Sequence, residues 1–152
     1  MYLLSFVVRC KPVFINLLIL VYMGRFKDIL LYVHQLPQNL VGLIVRLLYK
    51  GGKRCVIADI TVYYLETFRG GISLGNTIMV GSRDISTVKH EHGHQIQSLY
   101  LGWLYLFVIG IPSIVWAMLY DLHCINSRWS YYDFYTEKWA DNLGCVHRIK
   151  RT

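Results

Sequence analysis

Residues 99–120 run for 22 positions without a formal charge. A helix of about 20 apolar residues is long enough to cross the hydrocarbon core of a bilayer, so the run could span a membrane once. The residues flanking it restrict that choice. On its N-terminal side lies Lys89-His90-Glu91-His92-Gly93-His94-Gln95, and on its C-terminal side Thr136-Glu137-Lys138-Trp139-Ala140-Asp141.

Read as His-Glu-x-x-His on a helix, the first motif puts His90 and His94 one turn apart on one face, where both imidazoles reach a single metal ion. Glu91 sits beside them, angled to take a proton from a water that the ion activates. Random order at this composition yields the pattern in roughly one chain in a couple of hundred, so it needs support from elsewhere. A two-histidine site needs a third protein ligand and an open fourth position. Glu137 is a candidate for the third. Asp141, one turn further on the same face, is placed to accept a hydrogen bond from a ligand histidine and so to set its tautomer. Glu66, Glu91 and Glu137 are the only glutamates in the chain, which gives a second glutamate motif after the first more weight.

His90-Glu91-x-x-His94 followed by Glu137-x-x-Ala140-Asp141 resembles the gluzincin metallopeptidases, closest to the membrane-embedded branch of the CaaX prenyl protease and the HtpX-type heat-shock protease. The resemblance covers the two motif helices and the apolar stretch between them. It implies His90, His94 and Glu137 as Zn²⁺ ligands, Glu91 as general base and Asp141 as the residue orienting a ligand histidine. The segments Gln35-Leu36-Pro37-Gln38-Asn39-Leu40 and Gly110-Ile111-Pro112-Ser113 are similar to stretches of small uncharacterised bacterial membrane proteins, a likeness that implies no activity.

A single crossing by residues 99–120 would put His94 and Glu137 roughly 30 Å apart, whereas metal ligands lie within about 2 Å of their ion. Both readings hold only if the run turns back on itself. Gly110-Ile111-Pro112-Ser113, near its middle, supplies the expected break, because glycine permits unusual backbone angles and proline cannot continue the hydrogen-bond ladder. The expected form is a re-entrant, transmembrane or buried helical hairpin joining the two motif helices.

Composition bears on the membrane question. Apolar residues make up 55% and charged residues 16% of the chain, against about 45–50% and about 25% in soluble domains; the mean hydropathy is +0.37. The net charge of +7 gathers at the ends of apolar segments, as cytoplasmic flanks do, so no nucleic-acid partner is expected. Cys10, Cys55, Cys124 and Cys145 are scattered and read as reduced thiols.

Residues 1–23 read as an N-terminal anchor or as an extension created by start-site choice. Residues 29–49 form a second apolar stretch, a bent or interfacial helix pair kinked at Pro37, with Arg46 snorkelling and His34 a polar residue at an interface. Lys50-Gly51-Gly52-Lys53-Arg54 is a basic loop. Residues 55–81, rich in β-branched and aromatic side chains, read as a small antiparallel β-hairpin. Its turn is expected at Arg69-Gly70-Gly71, with Gly75 and Asn76 inside the second strand. Such a strand beside the motif helix either holds an extended substrate or is structural. Asp84 or Ser86 caps the motif helix, and Gln97 lies a turn beyond His94 on the metal-facing side. His123, Arg128, Tyr131 and Tyr132 are alternative donors to a developing oxyanion. Ser130-Tyr131-Tyr132-Asp133 reads as a capping box opening the last helix, which ends at Gly144. The basic tail, His147 to Arg151, reads as a cytoplasmic flank near anionic lipid.

The expected whole is one membrane-associated domain over residues 1–152, mainly α with a small β-hairpin and a zincin-like helix pair. Its expected function is zinc-dependent hydrolysis of a peptide or membrane-protein substrate. Its place is the lipid bilayer of a bacterial inner membrane, with the site near the cytoplasmic side. The alternatives are a membrane metalloenzyme acting on lipid or a small substrate, and a non-catalytic membrane protein with a structural metal site. In the last case His92 or His123 would complete four-fold coordination.

Overall fold

A computed structural model describes residues 24–49, 52–57, 60–66, 68, 70–125 and 129–148. The chain divides into two units, Met1–Val33 and His34–Thr152. In the first, residues 24–33 are helical; the expected anchor over 1–23 lies outside the described residues. All that follows concerns the second unit.

Helix α1 (Leu36–Leu48) has Pro37 in its first turn. There the missing N–H costs nothing and the fixed φ suits the start of a helix, so Pro37 opens α1 just after the preceding helical run ends at His34. Arg46 pairs with a residue of the second strand. Its guanidinium donates to the Tyr63 hydroxyl at 3.0 Å and lies over the same ring.

Four strands follow: β1 (Lys53–Ile57), β2 (Ile60–Tyr64), β3 (Gly71–Leu74) and β4 (Thr77–Val80). They form one mixed sheet in the order β1-β2-β4-β3, where a single antiparallel hairpin was expected. β2 and β4, the two segments expected to pair antiparallel, are parallel, with Val62 opposite Ile78. The reason is the position of the reversal. Gly75 takes φ +58°, so the chain turns at Gly75-Asn76 and splits the expected second strand into the β3–β4 hairpin. Two-residue turns of this kind favour a glycine in their first position. Asn39 of α1 fastens that turn, its Oδ1 accepting the Asn76 N–H at 2.9 Å. Ile78, Met79 and Val80 are fully buried, as suits a strand covered on both faces. Val62, Ile78 and Val80 pack with Val88 to form the core.

Helix α2 (Ile85–Leu101) carries the first motif, and Asp84 caps it by accepting the Ser86 N–H. A 3-10 turn (Gly102–Leu104), a π-helical turn (Leu106–Gly110) and helix α3 (Ile111–Asp121) follow. The helical pieces either side of Tyr105 differ in direction by 120°, so the chain bends sharply, but near the start of the apolar run, and residues 106–121 form a single arm. No single helix among the described residues is long and apolar enough to span a membrane.

The break is at Gly102, not at Gly110 and Pro112. Gly102 has φ +52°, and a Cβ there would lie 2.4 Å from the His34 ring. His34 Nε2 hydrogen-bonds the Leu99 carbonyl at 3.0 Å. The Gln38 side-chain amide donates to the Gly102 carbonyl at 2.8 Å and to Ser98 Oγ at 3.0 Å. Together these contacts take up polar groups exposed by ending α2 inside the protein. Pro112 instead sits in the first turn of α3. The Val108 carbonyl, which an α-helical N–H at position 112 would have bonded, accepts the Tyr135 hydroxyl at 2.6 Å.

Ser130 and Asp133 form the expected capping box, but on a 3-10 turn (Tyr131–Asp133). The last helix, α4 (Tyr135–Leu143), starts afterwards. Trp116 of α3 ties this turn in, donating to the Tyr131 carbonyl at 2.8 Å and stacking on Phe134. α4 packs directly on α2. A Cβ on Gly93 would lie 1.9 Å from the Ala140 carbonyl oxygen, and one on Gly144 would lie 2.1 Å from that of Lys89. Gly144 does cap α4, and it is required by this close approach, since its φ is an ordinary −80°.

Gly93→Ala should destabilise the protein by about 1–3 kcal/mol or more, because backbone must shift to admit the methyl group. Gly110→Ala, whose new carbon meets nothing nearer than 3.4 Å, should be neutral or stabilising by about 0.5–1 kcal/mol. Thermal unfolding of the two variants in parallel tests this. Equal losses would remove the close crossing as the cause.

Candidate metal centre

α2 and α4 bring His90, His94 and Glu137 together in a buried group, with one ligand atom from each lying within 4.8 Å of the others. Glu137 Oε2 is 3.1 Å from His90 Nε2 and 3.4 Å from His94 Nε2. The other carboxylate oxygen, Oε1, accepts the Thr136 hydroxyl at 3.1 Å. These donors can hold a metal ion.

The far side of each imidazole is already engaged. His90 Nδ1 lies 2.7 Å from Asp141 Oδ1, as the spacing predicts. His94 Nδ1 lies 2.8 Å from Gln97 Oε1. The Gln97 amide donates in turn to the Thr136 carbonyl at 2.9 Å, fixing its own orientation. Both acceptors hold a ring proton on Nδ1 and turn Nε2 toward Glu137; in the metal-free chain Nε2 donates to that carboxylate when the ring carries its second proton, and with that proton lost Nε2 is the atom a metal would take. The helical spacing brought Gln97 to this side; no sequence signal pointed to Thr136.

The group lies at one wall of a cleft of about 690 Å³, a size that admits a ligand. Glu91 also lines the cleft, outside the three-residue group, and it faces β3. A Cβ on Gly71 would fall 2.3 Å from the Glu91 carboxylate. β3 is an outer strand of the sheet, and Gly71 to Leu74 line the cleft with Glu91. Ile114 and Ala117 of α3 form part of the other wall.

Of the four alternative oxyanion donors, Tyr131 and Tyr132 line this cleft. His123 is exposed and bonds the Asp121 carbonyl, and Arg128 lies outside the described residues. His92 pairs with Gln95. Among the described residues, neither His92 nor His123 joins the metal-ligating group. Within the basic tail, the Arg148 side chain folds back onto Asp141. Residues 149–152 of that tail lie outside the described residues.

Electrostatics separate the carboxylates. Burial raises the Glu91 pKa above 4.5, and the nearby His94 and His90 charges only partly oppose this. Burial also raises Glu137, but hydrogen bonds from His90 and His94 outweigh it and hold the carboxyl well below 4.5. For His94, burial lowers the pKa, while the hydrogen bond to Glu137 and the charges of Glu91 and Glu137 leave it above 6.5 overall. Tyr131 is raised beyond the usual phenol range, first by burial and then by the charges of Glu137 and Glu91, so its hydroxyl stays protonated.

In comparisons with protein-family models, curated proteins and solved structures, nothing matches this chain.

The shifts predict how the metal-free chain responds to pH. The Glu137 contribution to stability is present above 4.5 and is lost as pH falls through its depressed folded value. The His94 contribution is complete below 6.5 and is lost as pH rises through its raised folded value. Glu91, its pKa raised by burial, adds a loss that begins as pH rises above 4.5. Melting temperature in excess chelator should therefore peak between 4.5 and 6.5, and Glu137→Gln should flatten the profile. An unchanged profile in that variant would exclude the Glu137–His94 contact as its source.

Proposed function

We propose that this chain is a membrane-associated zinc metallopeptidase. The reading is carried by three converging donor atoms whose histidines have their other ring nitrogens already committed. Tetrahedral zinc, with nitrogen and oxygen donors at about 2.0–2.2 Å, sets neighbouring donors about 3.3 Å apart. The spacings of 3.1 and 3.4 Å around Glu137 Oε2 fit that edge. His90, His94 and Glu137 would hold the ion, and the likeness of both motifs to the gluzincins supports the same assignment. Bound there, zinc would supply Lewis acidity toward a carbonyl and toward water.

The chain's own groups complete the chemistry. Glu91 accepts a proton at the cleft wall and returns it to the departing amine. Burial brings its pKa up toward the working range, as a proton shuttle requires. Asp141 and Gln97 keep both imidazoles in one tautomer and orientation throughout. Tyr131, held protonated beside Glu137, donates to a developing negative charge. The outer edge of β3 runs past Glu91 and suits an extended peptide, whose backbone would add to the sheet.

Large apolar side chains on the hairpin support a lipid environment. Trp103, Leu104, Phe107, Ile111, Ile114 and Met118 are each more than half exposed, a larger apolar surface than a water-soluble monomer usually presents. Leu40, Ile44, Leu47 and Leu48 add to it from α1. A helical hairpin that enters and leaves on one side reconciles this surface with a metal site built from both of its flanks.

Glu91→Gln should keep about one zinc per chain and lose at least about 100-fold in hydrolysis of a peptide library, the scale typical of general-base loss. Metal analysis and peptide cleavage by the same detergent-purified sample test this. Full cleavage by the variant would remove Glu91 as base, and a wild-type protein that takes up no zinc would remove the peptidase reading.

A further inference from the structure

Arg148 lies five residues beyond the end of α4, yet it returns to the metal centre. Its path is set by the turn that closes the helix. The Gly144 N–H bonds the Ala140 carbonyl at 2.8 Å and the Val146 N–H bonds that of Asp141 at 2.9 Å. Between them Cys145 has φ +53°, a left-handed conformation that is uncommon and costly for a residue with a side chain.

The reversal brings the Arg148 guanidinium onto both oxygens of Asp141, with Nε to Oδ2 at 2.6 Å and Nη2 to Oδ1 at 3.0 Å. Oδ1 is also the atom that accepts from His90 Nδ1 at 2.7 Å. The same guanidinium lies 3.2 Å above the centre of the Tyr132 ring. Tyr132 in turn meets the His90 ring edge-on, with centroids 5.4 Å apart. Arg148 therefore reaches His90 by two routes, through the carboxylate and through the aromatic ring. Among the described residues lining the cleft it is also the only one with a permanent positive charge.

We propose that Arg148 is a positioning residue for the metal centre; this rests on reading His90, His94 and Glu137 as metal ligands. A carboxylate held by one imidazole N–H can still rotate about its own axis. The planar fork of an arginine engages both oxygens at once and removes that freedom. With Asp141 fixed and Tyr132 held against the ring, His90 Nε2 stays aligned with His94 and Glu137. Lysine, a single point donor on a flexible stem, satisfies one oxygen and offers no plane to stack on Tyr132.

The test is zinc competition against a graded chelator series, using full-length wild type, Arg148→Gln, Arg148→Lys, Asp141→Asn and the Arg148→Gln/Asp141→Asn double variant. Arg46→Gln, on α1, is the control. Arg148→Gln should lose zinc affinity about 10–100-fold, as removal of an outer partner typically does, and Arg148→Lys should recover little of it. The double variant should lose less zinc affinity than the two single losses combined, because Arg148 acts largely through Asp141. Metal-free Arg148→Gln should melt within about 4 °C of the metal-free wild type, the effect of a partly exposed ion pair. Wild-type affinity in Arg148→Gln, or additive losses in the double variant, would overturn the proposal while leaving the metal site standing. A collapse of the metal-free variant would make Arg148 a folding residue and likewise overturn it. No zinc uptake by the wild type would instead overturn the metal reading, and this inference with it.

Discussion

Everything at the site depends on how closely α2 and α4 cross. Two glycines, Gly93 and Gly144, let each helix rest against a backbone carbonyl of the other segment. Larger side chains there would hold the helices further apart. The separation of the two helices sets how the donor atoms of the histidines and of Glu137 meet, here 3.1–3.4 Å apart. The site is thus made by the absence of side chains at the crossing as much as by the presence of ligands beside it.

Such a crossing buries polar groups that would be expensive alone, so each must find a partner. The group resolves this as a closed set. Asp141 and Gln97 take the outer ring nitrogens, Thr136 takes one oxygen of Glu137, and the inner atoms face one another. Glu137 is therefore stabilised as an anion, whereas Glu91, with weaker compensation, is pushed toward its neutral form. Two glutamates at one cleft are separated in this way into a fixed anion and a group able to carry a proton.

The second requirement is that the apolar run return to where it began, and α1 accomplishes this. His34 and Gln38 satisfy the chain at Gly102, while Asn39 fastens the β3–β4 turn. α1 and His34 just before it therefore anchor both the start of the hairpin and the strand along the cleft. The Tyr105 hydroxyl reinforces the link by donating to the Ser73 carbonyl at 3.0 Å.

Local periodicity alone determined that His90 and His94 share a helix face, that Asp141 follows Glu137 by one turn, and that Gln97 points the same way as His94. These relations span a few residues and survive in any helix. The need for a reversal within residues 99–120 also followed from the sequence, because ligands of one ion cannot lie a bilayer apart. Its position did not. Gly102 and Gly110 are both glycines within an apolar run, and Pro112 is the stronger breaker by local rules. Which one turns the chain is decided by His34 and Gln38, more than sixty residues away in sequence, and by Tyr135, which satisfies the carbonyl that Pro112 leaves open. The parallel pairing of β2 with β4, the placing of Tyr131 and Tyr132 but not His123 on the cleft, and the return of Arg148 to Asp141 belong to the same class. Each depends on contacts between segments distant in the chain, which residue spacing does not encode and only the assembled tertiary structure can supply.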